Sequence, residues 1–80
     1  MKKLELENYL RKGYDDTIQQ LNYHLAKMQD VKNNQVRGTH EKMIVFYELN
    51  KKQIMQLLNR LTDDNVEEIS QEFDNLKLPK

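Results

Sequence analysis

The stretch Met43-Ile44-Val45-Phe46-Tyr47-Glu48-Leu49-Asn50-Lys51-Lys52-Gln53-Ile54-Met55-Gln56-Leu57-Leu58-Asn59-Arg60-Leu61 decides the fold. Its first five residues, taken alone, read as a buried strand. The run is too long for a strand, however, and Leu, Lys and Gln dominate its remainder, so the segment reads as a helix. Met43, Tyr47, Ile54, Leu57 and Leu61 form one stripe of that helix, with Asn50 in the gap. Ile44, Val45, Phe46, Leu49, Met55 and Leu58 spread the apolar surface beyond the stripe. A helix apolar on more than one side sits between two others or in an oligomer interface, so the pattern predicts a homodimer as readily as an intramolecular three-helix core. Asn50 falls in the phase of the core. Buried there, it costs stability and fixes register or oligomer state; with a slight rotation of the helix it sits at the rim instead.

Working back, Asn33-Asn34-Gln35-Val36-Arg37-Gly38 reads as a turn, because Asn and Gly tolerate the left-handed conformation that ends a helix. Thr39 then caps the second helix, with Glu41 in its first turn. Ahead of the turn, Leu10, Tyr14, Ile18, Leu21, Leu25 and Met28 step by three and four, which predicts a first helix over about 4–33. Gly13 is its weak point, costing up to about 1 kcal/mol against Ala. It marks either a break before Asp15 and Asp16 or a position inside a continuous, slightly bent helix; the latter is the expectation. Working forward, a third helix opens near Thr62-Asp63-Asp64. Thr62 as N-cap sets Leu61 and Val66 as a hydrophobic staple, whereas Asp64 as N-cap pairs with Glu67. Val66, Ile69, Phe73 and Leu76 carry that helix to about 64–76, and Pro79 follows.

The lengths predict one all-α domain. Two long helices, over about 4–33 and about 39–61, fold back as an antiparallel hairpin, and the short third packs across the second as a small three-helix bundle. Eighty residues leave no room for a second domain and only a thin core. The composition of 13 Lys+Arg against 13 Asp+Glu, 38% hydrophobic residues and a mean hydropathy of -0.95 fits a protein of the cytoplasm. No run approaches the roughly 18 apolar residues of a membrane span, and Met-Lys-Lys-Leu-Glu-Leu-Glu is too acidic for a signal peptide.

Little catalytic chemistry is written into the residues. Cysteine is absent and Ser70 is the only serine, so neither a disulfide framework nor a self-contained nucleophile–base set is expected. His40-Glu41-Lys42-Met43-Ile44 begins like a zincin helix but has Ile44 where a second His belongs, so no metal and no cofactor is expected. His24 reads as a partly covered helix residue and His40 as a polar residue of a first turn. The second and third segments have helix-turn-helix spacing. Yet the would-be reading helix carries Asp64, Glu67, Glu68, Glu72 and Asp74, which phosphates repel, so DNA binding ranks third among the functions considered. Tyr and Met are favoured where proteins meet. The supply of Tyr, Phe and Met in so thin a chain therefore predicts binding to another protein, as its regulator or inhibitor, with Phe46, Tyr47, Met55 and Phe73 as the contact residues.

The last third carries one further signal. Leu61-Thr62, Val66 and Ser70-Gln71-Glu72-Phe73-Asp74 together resemble the sporulation-type aspartyl-phosphate phosphatases of Gram-positive bacteria. Those small helical hairpins bear a Ser-Gln-x-Leu-Asp signature on the second helix, after a Leu-Thr loop and a Val. Here Phe73 stands in the place of the Leu. The resemblance covers about 51–76. It implies removal of phosphate from the phospho-aspartate of a response regulator, with Asp74, Gln71 and Ser70 as the catalytic set and the metal supplied by the regulator. Helical spacing puts Ser70, Gln71 and Asp74 on one face, while Ile69 and Phe73 turn the other way.

Overall fold

A computed structural model describes residues 1–30 and 34–76, and the side chains of all of these except Asp30, Asn34 and Gln35. Three helices follow in order: α1 (Lys3–Asp30), α2 (Asn34–Arg60) and α3 (Val66–Asn75). There is no strand among the described residues, and Met43 to Tyr47 is helical. The all-α bundle expected from periodicity is the architecture found. α1 and α2 pack antiparallel, with Gly13 beside Ile54 and His24 against His40, and α3 packs against both.

The core gathers at one end of this hairpin. Leu6 and Leu10 of α1, Ile54 and Leu57 of α2, Leu61 beyond it, and Val66, Ile69 and Phe73 of α3 form one buried cluster, with Tyr14, Leu58 and Leu76 half-buried against it. Full burial of a Leu or Ile side chain contributes about 1.5–3 kcal/mol. α3 therefore supplies a large share of the stability of that end. The α2 seam keeps the expected phase: Tyr47, Asn50, Ile54, Leu57 and Leu61 are all buried. Asn50 takes the interior position rather than the rim, 3% exposed, and its Nδ2 has no hydrogen-bond partner.

The α1 seam is rotated from the expected one. Leu6, Leu10, Thr17 and Leu21 are buried, whereas Leu25 is exposed and Tyr14 and Ile18 are only half-covered. Gly13 explains much of this. The helix runs through it unbroken, and a Cβ there would lie 2.9 Å from Phe73 Cζ and 3.8 Å from Ile54 Cδ1. The missing side chain is the space that the Phe73 ring fills. Tyr9 meets the same ring edge-on, with centroids 5.9 Å apart. One turn on, the Thr17 hydroxyl donates to Gly13 O at 2.8 Å, so a buried polar residue satisfies itself within the helix.

Two boundaries also differ from expectation. α2 begins at Asn34, so Val36, Arg37, Gly38 and Thr39 are helical, and neither glycine has a positive φ. Thr39 is not the N-cap. Gly38 costs roughly 1 kcal/mol in a helix, nothing lies within 4 Å of where its Cβ would stand, and Arg37 reaches Glu41 at 3.6 Å across this turn. Asn33, where the turn was expected to open, lies outside the described residues. At the other junction the N-cap of α3 is Asn65, not Thr62 or Asp64, and its side chain does not cap α3. Instead Asn65 Oδ1 accepts from Thr62 N at 2.7 Å and Asn65 Nδ2 donates to Arg60 O at 2.8 Å, closing the C-terminus of α2. Leu61 and Val66 are both buried in the core cluster on either side of this clamp.

Candidate functional site

Three surfaces hold the residues singled out in the sequence. The first is the outer face of α3. Its amphipathic division is sharp: Val66, Ile69 and Phe73 are buried, Gln71 and Asp74 are exposed and Ser70 is half-buried. Ser70, Gln71 and Asp74 are thus brought together on one side of a single helix. Around them lie Glu67 and Glu68 in the first turn, where negative charge suits the helix dipole. Glu72 is drawn aside by Arg60, with Nη1 donating to Oε1 at 3.1 Å. A second ion contact, Nη2 to Oε2, also spans 3.1 Å but lacks an in-line donor geometry. The hydrogen bond and charge of Glu72 hold the Arg60 guanidinium above its ordinary pKa. This face is acidic, which disfavours phosphates of nucleic acid.

The second surface is the outside of α2. Val45 is 69% exposed and Leu49 52%, four residues apart on the same side. Beside Val45 a shallow depression is lined by Gly38, Glu41 and Lys42. Of the four expected contact residues, Met55 is exposed and Phe46 half-covered. Tyr47 and Phe73 are buried at 5% and 6% and build the bundle itself, Tyr47 by stacking on His24 and Phe73 by filling the Gly13 space.

The third is a pair that the sequence did not bring together. His24 of α1 and His40 of α2 face each other with Nδ1 atoms 2.8 Å apart. One ring donates its Nδ1–H and the other accepts, so the pair shares one proton while it is neutral overall. His24 is stacked on Tyr47 with centroids 5.6 Å apart and meets Tyr23 edge-on at 5.2 Å, and Lys27 Nζ lies 5.7 Å above the Tyr23 ring. Partial burial first, and His40 second, depress the His24 pKa below its ordinary 6.5. Burial likewise raises that of Tyr47. A turn drawn at 33–38 sets His24 and His40 out of register, which hid the pair.

Among the described residues no group of three or more His, Cys, Asp or Glu is placed to hold a metal ion. Ser70 belongs to α3, which packs at the opposite end of the hairpin from the two imidazoles. The two imidazoles and the polar face of α3 are therefore separate features of the surface. No helix among the described residues is long and apolar enough to cross a membrane. No known protein family, curated protein or solved structure matches the chain.

Proposed function

We propose that this protein acts in the cytoplasm by binding another protein, as its regulator or inhibitor, through the outer face of α2. The observation that carries this reading is the adjacent pair Val45 and Leu49, both more than half exposed on a hairpin that has few apolar side chains to spare. Apolar groups left to water beside a depression are the usual start of a docking site. The test is capture with the intact chain against a Val45→Asp, Leu49→Lys variant whose helicity is checked by circular dichroism. A protein held by the wild type and released by the variant is the expected outcome. An identical set of captured proteins removes the reading.

A second reading has its own support. Gln71 and Asp74 are exposed and Phe73 is buried, the division that the Ser-Gln-x-Leu-Asp resemblance requires of α3. On this reading the protein dephosphorylates a sporulation response regulator of a Gram-positive bacterium. Gln71 and Asp74 orient a water whose oxygen attacks phosphorus as the bond to the regulator's aspartyl oxygen breaks. Inorganic phosphate leaves and the regulator's carboxylate is restored. Such catalysis is mostly positioning and charge stabilisation. Mixing the protein with a phosphorylated regulator should speed phosphate loss, and Asp74→Ala should slow it by roughly 10²-fold or more. Phosphate loss at the spontaneous rate, or indifferent to Asp74→Ala, ends this reading.

A further inference from the structure

The hairpin has two long sides, and α3 seals only one. Gln53, Leu57 and Arg60 face α3 on α2, as Tyr9 and Gly13 do on α1. On the opposite side a groove is lined by Arg11, Tyr14 and Asp15 of α1 with Met55 and Leu58 of α2. Helical spacing extends it through Ile18 and Leu25 of α1 and Ile44 of α2, all half-covered or exposed. At the middle of the α2 stripe, between Ile44 and Met55, stand Glu48 and Lys51, joined at 3.2 Å.

We infer that a second copy of this chain covers this groove, with the α2 helices antiparallel and Glu48 of each chain opposite Lys51 of its partner. Two observations select that occupant. A two-fold interface must complement itself, and one acidic and one basic residue flanked by apolar residues at both ends do so. Antiparallel pairing that sets Glu48 against Lys51 also sets Ile44 against Met55. The second observation is area. A compact monomer of 9.7 kDa exposes about 5,100 Å², and this chain exposes 6140 Å². The excess of about 1,000 Å² comes with a rod of 50 × 19 × 17 Å, whose long side is large enough for one partner's share of a standard interface, about 800 Å². The radius of gyration of 14.9 Å, against about 11.6 Å for a compact chain of this length, reports the same elongation. A net charge of zero adds no repulsion between copies.

Sedimentation equilibrium of the intact chain tests this. The expected result is a species of twice 9.7 kDa that dissociates on dilution. Lys51→Glu or Glu48→Lys alone sets like charges across the two-fold and should weaken the dimer at least about tenfold. The double swap Glu48→Lys, Lys51→Glu should restore it. Lys52→Glu, with the same change in net charge but placed off the groove, should leave the dissociation constant unchanged. Circular dichroism of each variant separates lost association from lost folding. A single 9.7 kDa species at about 100 µM, or a dimer insensitive to Lys51→Glu, overturns the inference. So does a weakened dimer that the double swap fails to rescue. The α2 outer-face variants act on a different side of the helix, so this test and the one for protein binding fail independently.

Discussion

Replacing Gly13 by alanine sets two effects against each other. Alanine in a helix interior gains up to about 1 kcal/mol over glycine. Its Cβ, however, would stand 2.9 Å from Phe73 Cζ and 3.3 Å from Cε1. Phe73 is 6% exposed and braced by Tyr9, so the ring has little room to withdraw. Overpacking of this kind costs about 1–3 kcal/mol, and the clash should win. Gly13→Ala is expected to lower stability by about 1 kcal/mol, a fall of about 4–8 °C in Tm. Phe73→Leu removes the obstructing ring atoms, and in that background the same alanine should stabilise. A double-mutant cycle should then show coupling above about 0.5 kcal/mol; additive losses would refute the steric account. Asn50 presents the opposite case. Its Nδ2 is buried without a partner, so Asn50→Leu is expected to raise stability by about 1–3 kcal/mol. A lower urea midpoint in this variant would show that the amide is satisfied after all.

At the scale of elements, Asn65 governs how α3 leaves α2. It accepts from Thr62 N and donates to Arg60 O, so one side chain serves both the turn and the end of α2. Asn65→Ala loses both bonds and should cost about 1–2 kcal/mol. Asn65→Asp keeps the acceptor but turns the donor into a second acceptor facing a carbonyl, so it should rescue the stability only in part. Equal stability of Asp and Asn at this position in thermal unfolding would contradict the donor role. The elements were unequally legible. The α2 seam could be read because Tyr47, Ile54, Leu57 and Leu61 are all apolar and keep a heptad step. The α1 seam could not, because Gly13, Thr17 and His24 hold seam positions for reasons that hydrophobicity does not count. Gly13 makes room, Thr17 bonds its own helix, and His24 stacks and pairs. The start of α2 differs from the expected one because Asn and Gly are weak local signals, tolerated inside a helix at a cost of about 1 kcal/mol or less. The polar face of α3 was legible from spacing alone, since a short amphipathic helix has one way to face a core.

The whole molecule is a rod of 50 × 19 × 17 Å with unlike ends. One end is sealed by three helices and the apolar cluster. The other is two helices wide and held by Leu21, Tyr47 and the His24–His40 pair. Stability should therefore fall along the rod, since local opening follows the number of buried apolar contacts. Acid should widen the difference. The His24 pKa is depressed in the folded chain, so the unfolded chain binds the proton more readily. The stability linked to this group is complete above the ordinary value of 6.5, declines as pH falls below it, and levels off beneath the folded value. Urea midpoints between about pH 5.5 and 7.5 should thus drop on acidification, and His24→Phe should remove most of that slope. Exchange protection resolves the change in space. Amides of residues 20–27 and 39–44 should lose protection toward about pH 5.5, while those of residues 54–58 and 67–73 hold theirs. Uniform loss along the rod would mean that the two ends open together, and that the imidazole pair does not act as a separate latch.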